Sequence, residues 1–205
     1  MKKIACIVLT LLCLSAVAMA ESVPSRTTTD LTTVTVTAEN MPADATFAII
    51  PITQVDPEEM TPEMQVLVDA CNTEISKLNE GGSVVDYFGE VTNADGEVVS
   101  LTEMLDAETI NVYEFFPVTV VNFNVAYGEA TATMVFSTPY EEGQIVAVLI
   151  GIVTEGPDGT QSVAWQVFEG VGTSAEEDSG VRVTFTPEIL EQIQNGTALM
   201  AVVSR

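Results

Sequence analysis

The chain has 205 residues, with 30 acidic side chains against 6 basic ones, no histidine, and a net charge of −24. That charge opposes binding to nucleic acid or to anionic surfaces, and the missing imidazole excludes Ser–His–Asp and Cys–His catalysis as well as histidine-built zinc sites. With 47% hydrophobic and only 18% charged residues, the composition is that of a folded core and not of a disordered acidic tail.

Residues 1–20 read as a secretory signal peptide. Lys2 and Lys3 precede an apolar run from Ile4 to Val17, and Ala18-Met19-Ala20 offers small residues at a cleavage site. Cleavage there would remove Cys6 and Cys13 and leave Cys71 as the one thiol, so packing and not disulfides must stabilise the fold. The expected setting is an exported bacterial protein without a visible membrane anchor. Residues 21–29 are polar and predict a flexible leader.

The next segment, 30–109, predicts a mixed α+β unit. "LTTVTVTA" alternates and is rich in β-branched residues, and "ATFAIIPI" forms a second strand. A helix follows from Thr61 as cap and Pro62 at the first helical position, with Glu63 against the positive helix end. Met64, Leu67, Val68, Cys71, Ile75 and Leu78 share one stripe of that helix, and Gly81-Gly82 ends it. Cys71 in mid-stripe is expected to be a buried small hydrophobe, and Lys77 lies on the flank. Ser100 with Glu103 predicts a capping box before a short helix.

The stretch "EVTNADGEVVSLTE", Glu90 to Glu103, resembles a calcium loop in outline. With Gly96 at the sixth position, Asn93 and Asp95 fill the third and fifth, but Glu90 and Glu103 each miss a ligand position by one residue. A hairpin turn at Asp95-Gly96 accounts for the same residues and is the preferred reading. Asn93 and Asp95 remain the calcium candidates on this loop, together with Glu176, Glu177 and Asp178 in a later acidic loop.

Residues 110–205 read as strand after strand, with turns at short intervals and a second Thr-Pro-Glu helix start at Thr186. This pattern predicts an all-β, Ig-like antiparallel sandwich with Trp165 as a core plug, giving an α+β protein overall. Tyr113, Phe115, Tyr127 and Tyr140 are candidates for an aromatic ligand platform. Strand alternation places Phe116 opposite Tyr113 and Phe115, so some of these rings must be core, the preferred role.

No nucleophile elbow, phosphate loop or dinucleotide fingerprint is present. The expected function is therefore non-catalytic: a secreted binding or structural module for adhesion, glycan or protein, its partner an extracellular protein or glycan. Two alternatives stand beside it, a calcium-stabilised structural module and a carboxylate-only hydrolase needing two facing acids.

Overall fold

A computed structural model of the chain describes residues 31–50, 58, 60–81, 83–136, 140–174 and 179–205. The expected signal peptide, the leader and the acidic residues Glu176, Glu177 and Asp178 lie outside the described residues. Strands β1 (Leu31–Ala38) and β2 (Thr46–Ile49) precede helix α1 (Pro62–Gly81) and the short helix α2 (Val84–Phe88). A small hairpin, β3 (Val91–Thr92) and β4 (Val98–Val99), leads into α3 (Leu101–Met104). Then come β5 (Asn111–Val121), a 3-10 turn (Val125–Tyr127), β6 (Ala130–Phe136), β7 (Ile145–Glu155), β8 (Gln161–Ser174), β9 (Ser179–Phe185), α4 (Pro187–Asn195) and β10 (Thr197–Ser204).

The protein is thus mixed α+β, built on a mostly antiparallel sheet in the order β1-β6-β9-β8-β7-β10-β5-β2, with β3 and β4 attached to β8. The strands of 110–205, expected as an Ig-like antiparallel sandwich, lie in one continuous, mostly antiparallel sheet that is nearly barrel- or sandwich-like. The segments read as 30–109 and 110–205 share it, because β1 pairs with β6 and β2 with β5. The sheet curls until its two end strands, β1 and β2, come into contact. One apolar cluster inside the curl draws on all eight strands of that order, with Phe116, Met134, Ile150, Val183 and Met200 among its members. Helix α4 adds Ile189, Leu190 and Ile193 to the same cluster.

A second cluster lies on the outer face of the β5–β10–β7–β8 stretch, under α1 and α2. Strand β10 shows why one sheet serves two cores. Ala198, Met200 and Val202 point inward, Leu199, Ala201 and Val203 point outward, and all six are fully buried. A strand apolar on both faces must be covered on both faces. In β5 the pairing with β10 slips by one residue between Val112 and Phe115, so both side chains face the outer cluster despite their odd spacing. Simple alternation would put Val112 and Phe115 on opposite faces.

Helix α1 begins as its sequence dictates: the Thr61 hydroxyl accepts from the Met64 amide at 3.2 Å. The analogous Thr186 hydroxyl caps α4 through Ile189 at 3.5 Å. The capping box expected at Ser100 does not form. The Ser100 hydroxyl meets the Thr102 hydroxyl at 2.9 Å, and α3 stops after one turn.

Candidate functional site

The hairpin β3–β4 turns through Asn93-Ala94-Asp95-Gly96-Glu97. The Gly96 amide donates to the Asn93 carbonyl at 3.0 Å and the Asn93 amide to the Glu97 carbonyl at 2.9 Å. Gly96 alone is left-handed, at φ 79°, so the turn is a three-residue loop and not the two-residue Asp-Gly turn expected. The Asn93 side-chain oxygen accepts from the amides of Asp95 and Glu97, at 3.0 and 2.9 Å. It therefore serves the loop's own backbone, and the calcium candidates Asn93 and Asp95 stand in a closed turn. The β7–β8 loop repeats the design. Gly159, at φ 79°, donates to Gly156, Gly156 to Thr160, and Asp158 accepts from the Thr160 amide at 3.1 Å. The hydrogen bond from the Thr160 hydroxyl, then that from the Thr160 amide, hold the Asp158 carboxyl below the usual carboxylate range. Among the described residues no three His, Cys, Asp or Glu side chains gather as a metal site would require.

The aromatic candidates do not meet. Phe115 lies in the outer cluster at 1% exposure, and Tyr140 lies in the inner one at 4%. Tyr127 is half-buried against the inner cluster, edge-on to Phe123. Phe115 and Tyr140 are on opposite faces of the sheet and buried, so an exposed platform of these rings is not formed. Of Tyr113 only the backbone is described.

A different concavity gathers polar chemistry. Strand β8 pairs with β7 along residues 161–171 but with β9 only from Gly170 onward. Upstream of Gly170, the described residues meet its second edge through Thr92, which pairs with Gln166. The space left beside that edge is a groove of about 380 Å³ between β8, the β3–β4 turn and α4. Ile152, Ala164 and Ile189 are its apolar part, and Trp165 borders it from β8 while its ring packs on the other face of the strand, over Gly151. Amides and hydroxyls line it: Asn93, Gln166 and Gln192 with Thr92 and Thr154. None of the lining residues is charged, and none is a nucleophile of the thiol or amine type. The Gln166 amide donates to the Asn93 carbonyl at 2.9 Å, which fastens the hairpin to the strand.

Behind Trp165 lies the one buried carboxylate found among the described residues, Glu74 at 4% exposure. Helix α1 carries it three residues past Cys71 and four before Leu78, on the buried stripe. Tyr87 donates its hydroxyl proton to Glu74 Oε2, and Lys77 Nζ donates to Oε1 at 2.7 Å. Burial, then the hydrogen bond to Glu74 and its negative charge, push the Tyr87 hydroxyl well above the ordinary tyrosine value. Cys71 is fully buried, as its place on the stripe implies. Sequence reasoning passed over Glu74 because it sought apolar repeats. The available signal was an acid at a core-facing helix position with a lysine three residues on.

A second depression, of about 510 Å³, is lined by Thr102, Glu103, Asp106, Ala107 and Glu108. Its three carboxylates are exposed to water, unlike the shielded acid that glycoside hydrolysis requires. Among the described residues no helix is long and apolar enough to cross a membrane. Comparison of the chain with models of protein families, with characterised proteins and with solved structures gives no match.

Proposed function

We propose that this protein is an exported, non-catalytic binding module whose groove beside β8 takes a neutral, hydroxyl-rich ligand of glycan type. One observation carries the reading: in a chain with 30 acidic residues, a groove of about 380 Å³ is lined without a single charge. Side-chain amides both donate and accept, hydroxyls do the same, and the apolar part formed by Ile152, Ala164 and Ile189 suits the carbon face of a sugar ring. Such a lining fixes an uncharged polar ligand without the desolvation cost of a buried ion. It also supplies no acid, base or nucleophile, which is why binding is preferred to turnover.

The test is a nuclear magnetic resonance titration of the exported protein with neutral gluco-, galacto- and manno-configured oligosaccharides. The expected result is a set of shift changes confined to the side-chain amides of Asn93, Gln166 and Gln192. Silence of those signals with every sugar, or changes confined to other surfaces, removes the proposal. N-terminal sequencing of the exported chain tests the export part separately, with cleavage expected after Ala20.

A further inference from the structure

The surface of the groove continues past its lining. A row of residues crosses four strands in register. Ile150 of β7 pairs with Gln166 of β8, Gln166 with Thr92 of β3, and Thr92 with Val98 of β4. Residues paired in this way present their side chains on one face of a sheet. Here it is the inner face, because Ile150 belongs to the inner cluster. The intervening residues agree: Val167 and Val91 are buried in the outer cluster, and Val99 packs against it. Gln166 and Thr92 line the groove, so Val98 is the next side chain along the same surface.

Val98 is 62% exposed, the highest value among the exposed large apolar residues found in the described chain. A single exposed valine is ordinary on a protein surface. The other four, Val66, Val85, Val121 and Val125, lie outside this row. Val98 differs from them in its continuity with a lined groove. Neighbouring strands lie about 4.8 Å apart, so the three steps from β7 to β4 carry the surface across about 14 Å. Along that path an apolar part at Ile152 and Ala164 gives way to the polar Gln166 and Thr92, and then to the apolar Val98.

We infer that Val98 is a further ligand-contacting residue, the outer subsite for an oligosaccharide laid across β8, β3 and β4. The inference rests on the proposed glycan reading and adds to it a preference for chain length. A short sugar fills the lined groove and stops at Thr92. A longer one sets the carbon face of a further ring on Val98 and takes an exposed isopropyl group out of water. Affinity therefore rises with length, and Val98 is the residue that reads it.

The experiment compares the wild-type exported protein with Val98→Ser and with Val125→Ser, a control 45% exposed at a position off the row. Each is titrated with disaccharides and tetrasaccharides of the neutral gluco-, galacto- and manno-configured series. Both valines are exposed, so far-ultraviolet dichroism and melting temperature are expected to stay at wild-type values. Val98→Ser is expected to weaken tetrasaccharide binding about fivefold and to leave disaccharide binding within about twofold. Val125→Ser is expected to change neither. In a methyl spectrum recorded beside the amide titration, the Val98 methyl signals should move with the tetrasaccharide and not with the disaccharide. Disaccharide and tetrasaccharide binding that shifts the Gln166 and Gln192 amides but is unaffected by Val98→Ser overturns the inference and leaves the glycan reading standing. Equal losses for both lengths overturn it in the same way. Silence of those amides with every sugar of either length removes the glycan reading and this inference together.

Discussion

The two faces of the sheet solve the same packing problem with different materials. Inside the curl, the cluster from Ile49 to Val202 holds no charged residue. Under α1, the outer cluster is equally dry but closes around Glu74. The inner face is sealed by the sheet itself, so nothing there can reach water to solvate a charge. The outer face is covered by a helix, and a helix carries its own edge. Lys77 sits one turn from Glu74 with its side chain 44% exposed, so the counter-charge snorkels to solvent while the carboxylate stays in. A buried acid is tolerated when its oxygens find donors, and Tyr87 and Lys77 provide one to each.

The largest effects come from breaking each core at one ring. Phe116→Ala opens the inner cluster and Phe115→Ala the outer one, each expected to cost about 3–5 kcal/mol in urea unfolding. The two differ in a second reading. Phe115 flanks the indole at 5.7 Å, so its loss moves Trp165 emission, and loss of Phe116 on the opposite face does not. Equal spectral changes in both variants would mean that the two clusters are not separate.

The contrast between the faces sharpens at Glu74. Glu74→Leu leaves the Tyr87 hydroxyl half-buried without its acceptor and is expected to cost about 1–3 kcal/mol. Adding Tyr87→Phe removes the orphan and makes the outer core as apolar as the inner one. The double variant is expected to recover most of the loss, since a buried polar pair replaced as a unit by apolar groups is often neutral. A double variant no more stable than Glu74→Leu would place the value of this site in packing and not in the hydrogen bond.

The same pair gives a pH signature of its own. The folded state holds the Tyr87 proton more tightly than the unfolded chain, whose tyrosines titrate near 10. Its contribution is therefore complete below pH about 10 and declines as pH rises beyond that value, where the unfolded chain loses the proton first. Wild-type stability should fall more steeply than that of Tyr87→Phe above pH about 10. Parallel curves would contradict the direction of the shift.

Much of this fold was legible in local sequence. Thr61-Pro62 and Thr186-Pro187 start helices because a hydroxyl cap and a fixed φ act within one turn. The strands from β5 to β10 follow from β-branched runs and their turns. What was not legible is long-range. The union of β1 with β6 and β2 with β5 depends on how a sheet curls, and no local pattern encodes that. That Phe115 and Phe116 both lie in cores, on opposite faces of β5, follows from the cover that α1 and α2 give the outer face, which alternation alone does not announce. The groove was invisible for the same reason: Asn93, Gln166 and Gln192 are distant in sequence and meet only because β9 leaves part of the edge of β8 uncovered.

The smallest effects concern the two hairpin loops, which share one backbone geometry but are tied down by side chains at different positions. In β3–β4 the Asn93 side chain ties down two amides, and in β7–β8 Asp158 ties down one. Gly96→Ala and Gly159→Ala should each cost about 1 kcal/mol, because both place a Cβ at positive φ. Asn93→Ala should cost slightly more than Asp158→Ala and should also disturb Gln166, whose amide reaches the Asn93 carbonyl. The same turn decides the calcium question. An Asn93 oxygen already engaged by two amides has little to offer a cation, so melting temperatures in about 1 mM Ca²⁺ and about 1 mM Mg²⁺ should match. Both ions would then only screen a chain of net charge −24. A rise of several degrees with Ca²⁺ alone requires a site of roughly micromolar affinity. If Asp95→Asn left such a rise intact, the turn would stay a turn and the ligands would be sought among Glu176, Glu177 and Asp178.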